Sequence, residues 1–247
     1  MYVSVDSLPE LTPEYQKTQQ QAVRDAKVVY QFEVVKVSPT DYGAIFMWSL
    51  FGLGSLWLVW DALSDGFLGA LLLLIFSGGI LTYFYYAGNP DVKQTVTLTE
   101  KGMIVSDLQL VPDACFAALR YSGYVGIAIS VVGVVLVGPM MFIGAGAGLL
   151  MSFKMAGVEN RPKTRVRPFH PDIEYVMADN PCAKFKNSLF LREVIPNIEL
   201  ENDGGIKDEL FSRNQEFYFL TYASTEQQQD EIMGHLKKFI NVEKGDY

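Results

Sequence analysis

Two apolar runs, Gly43 to Leu63 and Phe67 to Ala87, follow one another with only Ser64-Asp65-Gly66 between them, and neither holds a lysine or arginine. About 20 consecutive apolar residues in a helix cross roughly 30 Å of hydrocarbon with every backbone group satisfied internally. The pattern therefore predicts a transmembrane hairpin over 43–87. A third run, Ser122 to Phe153, is longer and is broken by Gly138-Pro139. Proline removes a helix donor and clashes with the preceding turn, so the break predicts either a short hairpin over 122–155 or a single kinked span.

Interfacial chemistry fits the first two runs. Tyr42 and Trp48 lie towards one end of the first, Trp57 and Trp60 towards the other, and Tyr83-Phe84-Tyr85-Tyr86 closes the second. Such rings favour the headgroup level. Asp61 and Asp65 fall at the tight connection, where a carboxylate stays in water.

Charge sets the direction. Lys17, Arg24, Lys27 and Lys36 precede the first run, none lies in the connection, and Lys93, Lys101 and Arg120 follow the second. Under the positive-inside rule the N-terminus is cytoplasmic and the hairpin points outward through the cell (inner) membrane. After the third run come Lys154, Arg161, Lys163, Arg165 and Arg167, opposed only by Glu159. A single third span would put this cluster outside, so the charges favour a hairpin there. Tyr121 to Val137 and Met140 to Met155 would be about 25 and 24 Å long, short for full spans. Gly126, Ala128, Ser130 and Gly133, with Gly144-Ala145-Gly146-Ala147-Gly148, offer surfaces for close helix packing.

The polar segments read as a small α+β unit. Thr12 as cap and Pro13 at the first position predict a helix to about Asp25. Val28, Tyr30, Phe32 and Val34 then alternate with polar residues as a strand, ending a cytoplasmic segment over 1–42. A β-rich segment over 88–121 holds a strand at Thr95 to Thr99, a turn at Glu100-Lys101-Gly102 and a second strand from Met103. Residues 156–169, with Pro162 and Pro168, predict an extended basic linker facing an anionic inner leaflet. Region 170–247 is acidic, with fifteen acids against eight bases. It predicts strands at Ser188–Val194 and Glu216–Tyr222, a turn at Asn202–Gly205 and a short helix at Lys207–Phe211. A final amphipathic helix is signalled by a capping box, Ser224 to Gln227, and by Ile232, Met233, Leu236, Phe239 and Ile240 at helical spacing.

The succession of strand, membrane hairpin and Val96-Thr97-Leu98-Thr99-Glu100-Lys101-Gly102-Met103-Ile104-Val105 resembles bacterial membrane proteins with a pleckstrin-homology-like domain. The resemblance covers about a third of the chain and implies a non-enzymatic β-rich domain closed by a C-terminal helix, with no active-site residues.

The chain of 247 residues has a net charge of -8 and apolar residues at nearly half its positions. Its fold class is expected to be an integral membrane protein of α-helical hairpins carrying a small cytoplasmic α+β domain. Cys115 and Cys182 are far apart, and neither they nor His170 and His235 have companions at ligand spacing, so no metal, cofactor or disulfide framework is expected. Asp208-Glu209 and Asp230-Glu231 are sequence neighbours that point apart on a helix and form no carboxylate dyad. The expectation is a non-catalytic protein that binds the lipid bilayer and a protein partner or its own copies, not nucleic acid, in interaction, regulation or immunity. The alternative is a channel or transporter subunit using the Gly138-Pro139 break; against it, the span interiors lack ionisable groups.

Overall fold

The structure, a computed structural model, describes residues 3–4, 12–138, 141–181, 185–199 and 218–244. The turn and helix expected at 202–211, together with Pro139 and Cys182, lie outside them. The chain divides into two compact units, one of Met1–Pro39, Val92–Leu108 and Pro162–Tyr247, the other of Thr40–Asp91 and Gln109–Arg161. Most of the polar segments expected as separate regions therefore share one unit, although 88–91, 109–121 and 156–161 go with the helices. The apolar runs share the other.

In the first unit, α1 (Pro13–Arg24) starts where Thr12 accepts a hydrogen bond from the Tyr15 amide and Pro13 occupies the first turn. Strands β2 (Val28–Lys36), β3 (Val92–Thr99), β4 (Gly102–Gln109) and β5 (Lys163–Pro168) form one sheet in that order, and β1 (Val3–Ser4) pairs elsewhere. Alternation decides which face is inward: Phe32 and Val34, then Val96 and Leu98, then Met103 and Val105 are buried. The pairing of β2 with β3, antiparallel from Tyr30 opposite Leu98 to Lys36 opposite Val92, matches the sequence pattern.

β5 corrects that pattern. The stretch over 156–169 is not an extended linker, because Lys163 to Pro168 pairs antiparallel with β4 from Asp107 to Gly102. Its signal was hidden by flanking prolines and alternating charges. A Cβ on Gly102 would lie 2.6 Å from both the Arg167 carbonyl oxygen and Val23 Cγ2. Glycine there lets α1 and β5 close over the turn.

The second sheet has the order β10-β6-β7-β9, with β6 (Glu174–Pro181), β7 (Phe190–Pro196), β9 (Phe219–Ala223) and β10 (Asn241–Lys244). β10 lies parallel to β6, while β6–β7 and β7–β9 are antiparallel. The two-residue β8 (Ile198–Glu199) pairs parallel with β1. Helix α6 (Glu226–Leu236) begins one residue later than its expected capping box: Thr225 accepts from the Gln228 amide, and Gln228 Oε1 receives the Ser224 amide. Ile232, Met233, Leu236 and Ile240 join Tyr175, Met177, Val194 and Phe219 from the second sheet and Phe32, Val96, Leu98 and Met103 from the first in one core. Burying a side chain of this size stabilises by about 1.5–3 kcal/mol.

Among the described residues the second unit holds four helices: α2 (Tyr42–Asp65), α3 (Phe67–Ala87), α4 (Asp113–Val137) and α5 (Met141–Ala156). By length and composition, Tyr42–Asp65, Phe67–Ala87 and Asp113–Leu136 suit a membrane span. Asp41 caps α2 by accepting from the Ala44 amide, and Gly66 makes the reversal to α3 at φ 153°. Trp48 stacks on Phe84 at 4.0 Å across that pair. α4 starts at Asp113, ahead of the apolar run expected from Ser122, and the run splits at Gly138, whose φ of 92° suits glycine. The two halves then lie side by side: a Cβ on Gly123 would sit 2.6 Å from the Ala156 nitrogen, and one on Gly126 would collide with Ser152 Oγ. The chain therefore reverses, and a single kinked helix is not formed. Of the glycine-rich stretch on α5, Gly146 and Gly148 face open space and do not make the close approach expected of them.

Chain order and strand order combine into one pattern. α2 and α3 occupy the connection between β2 and β3, and α4 and α5 that between β4 and β5. A two-residue turn joins β3 and β4, so both connections leave the sheet at the end remote from Glu100-Lys101.

Candidate functional site

The helical unit turns its apolar side chains outward. Trp57, Trp60, Phe67, Leu72, Ile75 and Phe76 on the first pair, and Val125, Ile129, Val132, Val135 and Leu136 on α4, are all exposed. Exposed apolar side chains in this number are the kind of surface that contact with lipid or protein covers.

The basic residues expected as one membrane-facing arm do not stay together. Lys154 is exposed in the last turn of α5, and Arg161 pairs with Glu159 at 2.9 Å. Lys163 is the exposed first residue of β5. Arg165 pairs with Asp107 at 2.6 Å, and Asp107 also accepts from Gln94 Nε2 at 2.7 Å. Arg167 is buried and donates to the Tyr218 carbonyl. Strand pairing spaces these side chains by the β repeat, so Arg165 and Arg167 serve the sheet. Of the membrane break, Gly138 donates its amide to the Val134 carbonyl at 2.9 Å.

A clasp at the end of β2 was not visible in the sequence. Asn187 Nδ2 donates to the Val35 carbonyl at 2.6 Å, its Oδ1 accepts the Val37 amide at 3.3 Å, and the Lys186 amide donates to the Val37 carbonyl. Lys36 Nζ lies 3.8 Å from the Tyr222 ring centroid, a cation–π geometry. These contacts tie β2 to the second sheet just before the chain enters α2. A residue distance of about 150 positions hides such a clasp from any local pattern.

Elsewhere on β2, Tyr30 stacks on His235 at 4.8 Å, and burial with a hydrogen bond to Glu231 pushes its phenol above the ordinary value. Lys93, 2.7 Å from Glu33, holds that carboxyl below the usual range. Burial lowers the His170 pKa, with Asp172 opposing. Among the described residues no three His, Cys, Asp or Glu side chains gather as a metal site.

The class defined by this geometry is an α+β protein that carries two outward-facing apolar helical hairpins in alternate connections of one antiparallel sheet. The chain belongs to the TsiV2 immunity protein family, whose family model matches residues 13–167, from α1 through Arg167 of β5. It is also similar to "Immunity protein TsiV2" of Vibrio cholerae serotype O1 (strain ATCC 39315 / El Tor Inaba N16961), at 33% identity over 88 residues, covering 36% of this chain and 32% of the relative. The alignment thus spans less than two thirds of the relative's length. No solved structure matches.

These matches overturn the resemblance to pleckstrin-homology-like membrane proteins. That likeness rested on a strand–turn–strand pattern common to many sheets. Here the pattern belongs to a sheet with a second helical hairpin between β4 and β5. The matched region contains the first sheet and both hairpins and stops before the second sheet.

Proposed function

We propose that this immunity protein is a multi-pass protein of the cell (inner) membrane that protects its producer from a toxin acting at the membrane, by contact and without catalysis. The helical unit lies in the bilayer, and the sheet unit with both termini lies in the cytoplasm. The observation that carries this reading is the outward apolar surface of α2 to α4, which only lipid or apolar protein can cover.

Strand pairing supports the arrangement independently of charge. β2 pairs with β3, and β4 with β5, so each intervening helical hairpin must return the chain to the side it left. The basic residues Lys17, Arg24, Lys27 and Lys36 before α2 make that side the cytoplasm.

Two experiments test the two halves of the reading. A cysteine at Lys244 should resist an impermeant maleimide in intact cells; labelling there would refute the cytoplasmic placement. Deleting the gene and co-culturing the strain with its parent should produce dye uptake through damaged membranes, reversed by restoring the chain. Survival equal to the parent would sink the protective role, and death with intact membranes would move the toxin's target elsewhere.

A further inference from the structure

We propose that the α4–α5 hairpin fits a thinner bilayer than the α2–α3 hairpin, so that the protein imposes a local step in membrane thickness. The inference rests on the reading of the helical unit as membrane-inserted.

The lengths differ. α3 is 21 residues without a charged side chain, about 31 Å. α5 is 16 residues, about 24 Å. α4 is longer as a helix, yet its usable length is set by its partner. Arg120 Nη1 donates to the Val158 carbonyl at 3.2 Å, and Gly123 abuts Ala156. Arg120 is therefore level with the exit of α5, and the apolar part of α4 runs only from Tyr121 to Val137, about 25 Å. Tyr121 and Tyr124 are exposed beside Arg120, as expected for a headgroup boundary. Lys154 lies near the same end of α5.

The far end must then choose between staying within hydrocarbon and drawing the opposite interface towards it. The sequence around the reversal, Val134 to Met141, has no polar side chain to satisfy backbone groups. Any helix end leaves carbonyls, and any helix start leaves amides, without intrahelical partners, and each such group left unsatisfied in hydrocarbon costs more than an ångström of mismatch costs in bilayer strain. Up to four unpaired groups at each helix end outweigh a deficit of about 6 Å against a core of roughly 30 Å. Thinning is the cheaper outcome. The α2–α3 reversal needs none, since Asp61, Ser64 and Asp65 sit at the end of a pair long enough to reach water.

Single cysteines at Ser64 and Leu136, in a chain with Cys115→Ala and Cys182→Ser, test this with an impermeant maleimide. Both should label from outside spheroplasts. In liposomes running from dimyristoleoyl to dierucoyl phosphatidylcholine, the ratio of L136C to S64C labelling should fall several-fold as the acyl chains lengthen. Protection of L136C while S64C labels, or a ratio that is flat across the lipids, would overturn the inference. Silence of S64C from outside would remove the membrane reading itself and the inference with it. Val135→Cys serves as a second probe should Leu136→Cys fail to accumulate.

Discussion

Leucine and phenylalanine do opposite things in the two units. Leu98 and Phe219 in the sheet unit are 1% and 0% exposed, whereas Leu136 and Phe76 in the helical unit are 78% and 69% exposed. With the helical unit in the bilayer as proposed, one chain would be folded against two solvents. In the sheet unit water drives apolar side chains together. In lipid nothing comparable would pull the helices together, and contact would depend on how closely they approach, as where Gly123 meets the Ala156 backbone and Gly126 the Ser152 side chain.

The sharpest way to break this contrast is a pair of matched truncations. Phe219→Ala should lower unfolding stability by about 3–5 kcal/mol, whereas Phe76→Ala should stay within about 0.5 kcal/mol. Chemical denaturation in detergent reads both; equal losses would mean that Phe76 packs inside a core. Next in size, Gly123→Val should cost about 1–3 kcal/mol through overpacking, while Gly79→Val, which meets open space, should cost far less. Thermal melts in detergent compare them, and an indifferent Gly123 would deny the close α4–α5 contact.

A smaller effect is expected at the clasp. Asn187→Ala removes two hydrogen bonds from the exposed end of β2 and should cost about 1 kcal/mol, with faster amide exchange at Val37 and unchanged exchange at Val96. The smallest effect concerns pH. His170 has a folded pKa below its unfolded value of about 6.5, so its contribution is complete above that pH and is lost as pH falls through the folded value. Stability of the wild type should therefore fall more steeply below about pH 6.5 than that of His170→Asn. Identical slopes would show that His170 is solvated.

Much of this was legible because its causes are local. The apolar runs, the Thr12-Pro13 start of α1, the alternation of β2 to β4 and the Ile232, Met233 and Leu236 stripe each declare an element within a few residues, although Phe239 and Ile240, expected on the same helix, lie beyond its end at Leu236. What escaped was set by distant partners. β5 looks like a linker until Arg165 meets Asp107 and Arg167 meets Tyr218. β6 did carry a signal, Ile173, Tyr175 and Met177 alternating into the core, although its neighbour β10 comes from the far end of the chain. The clasp of Asn187 on β2 has no local trace at all.

Placing helical hairpins inside the connections of a sheet also fixes an order of events during synthesis. β2 leaves the ribosome with its partner still unmade, and it waits through the whole of α2 and α3 before β3 can pair with it. The same delay separates β4 from β5. During that interval β2 is an unpaired edge with alternating apolar residues, the kind of segment that aggregates when pairing is slow. Closure of the first sheet is thus a late step that reports completion of both hairpins, and a chain stalled in either one leaves an open strand for quality control to find.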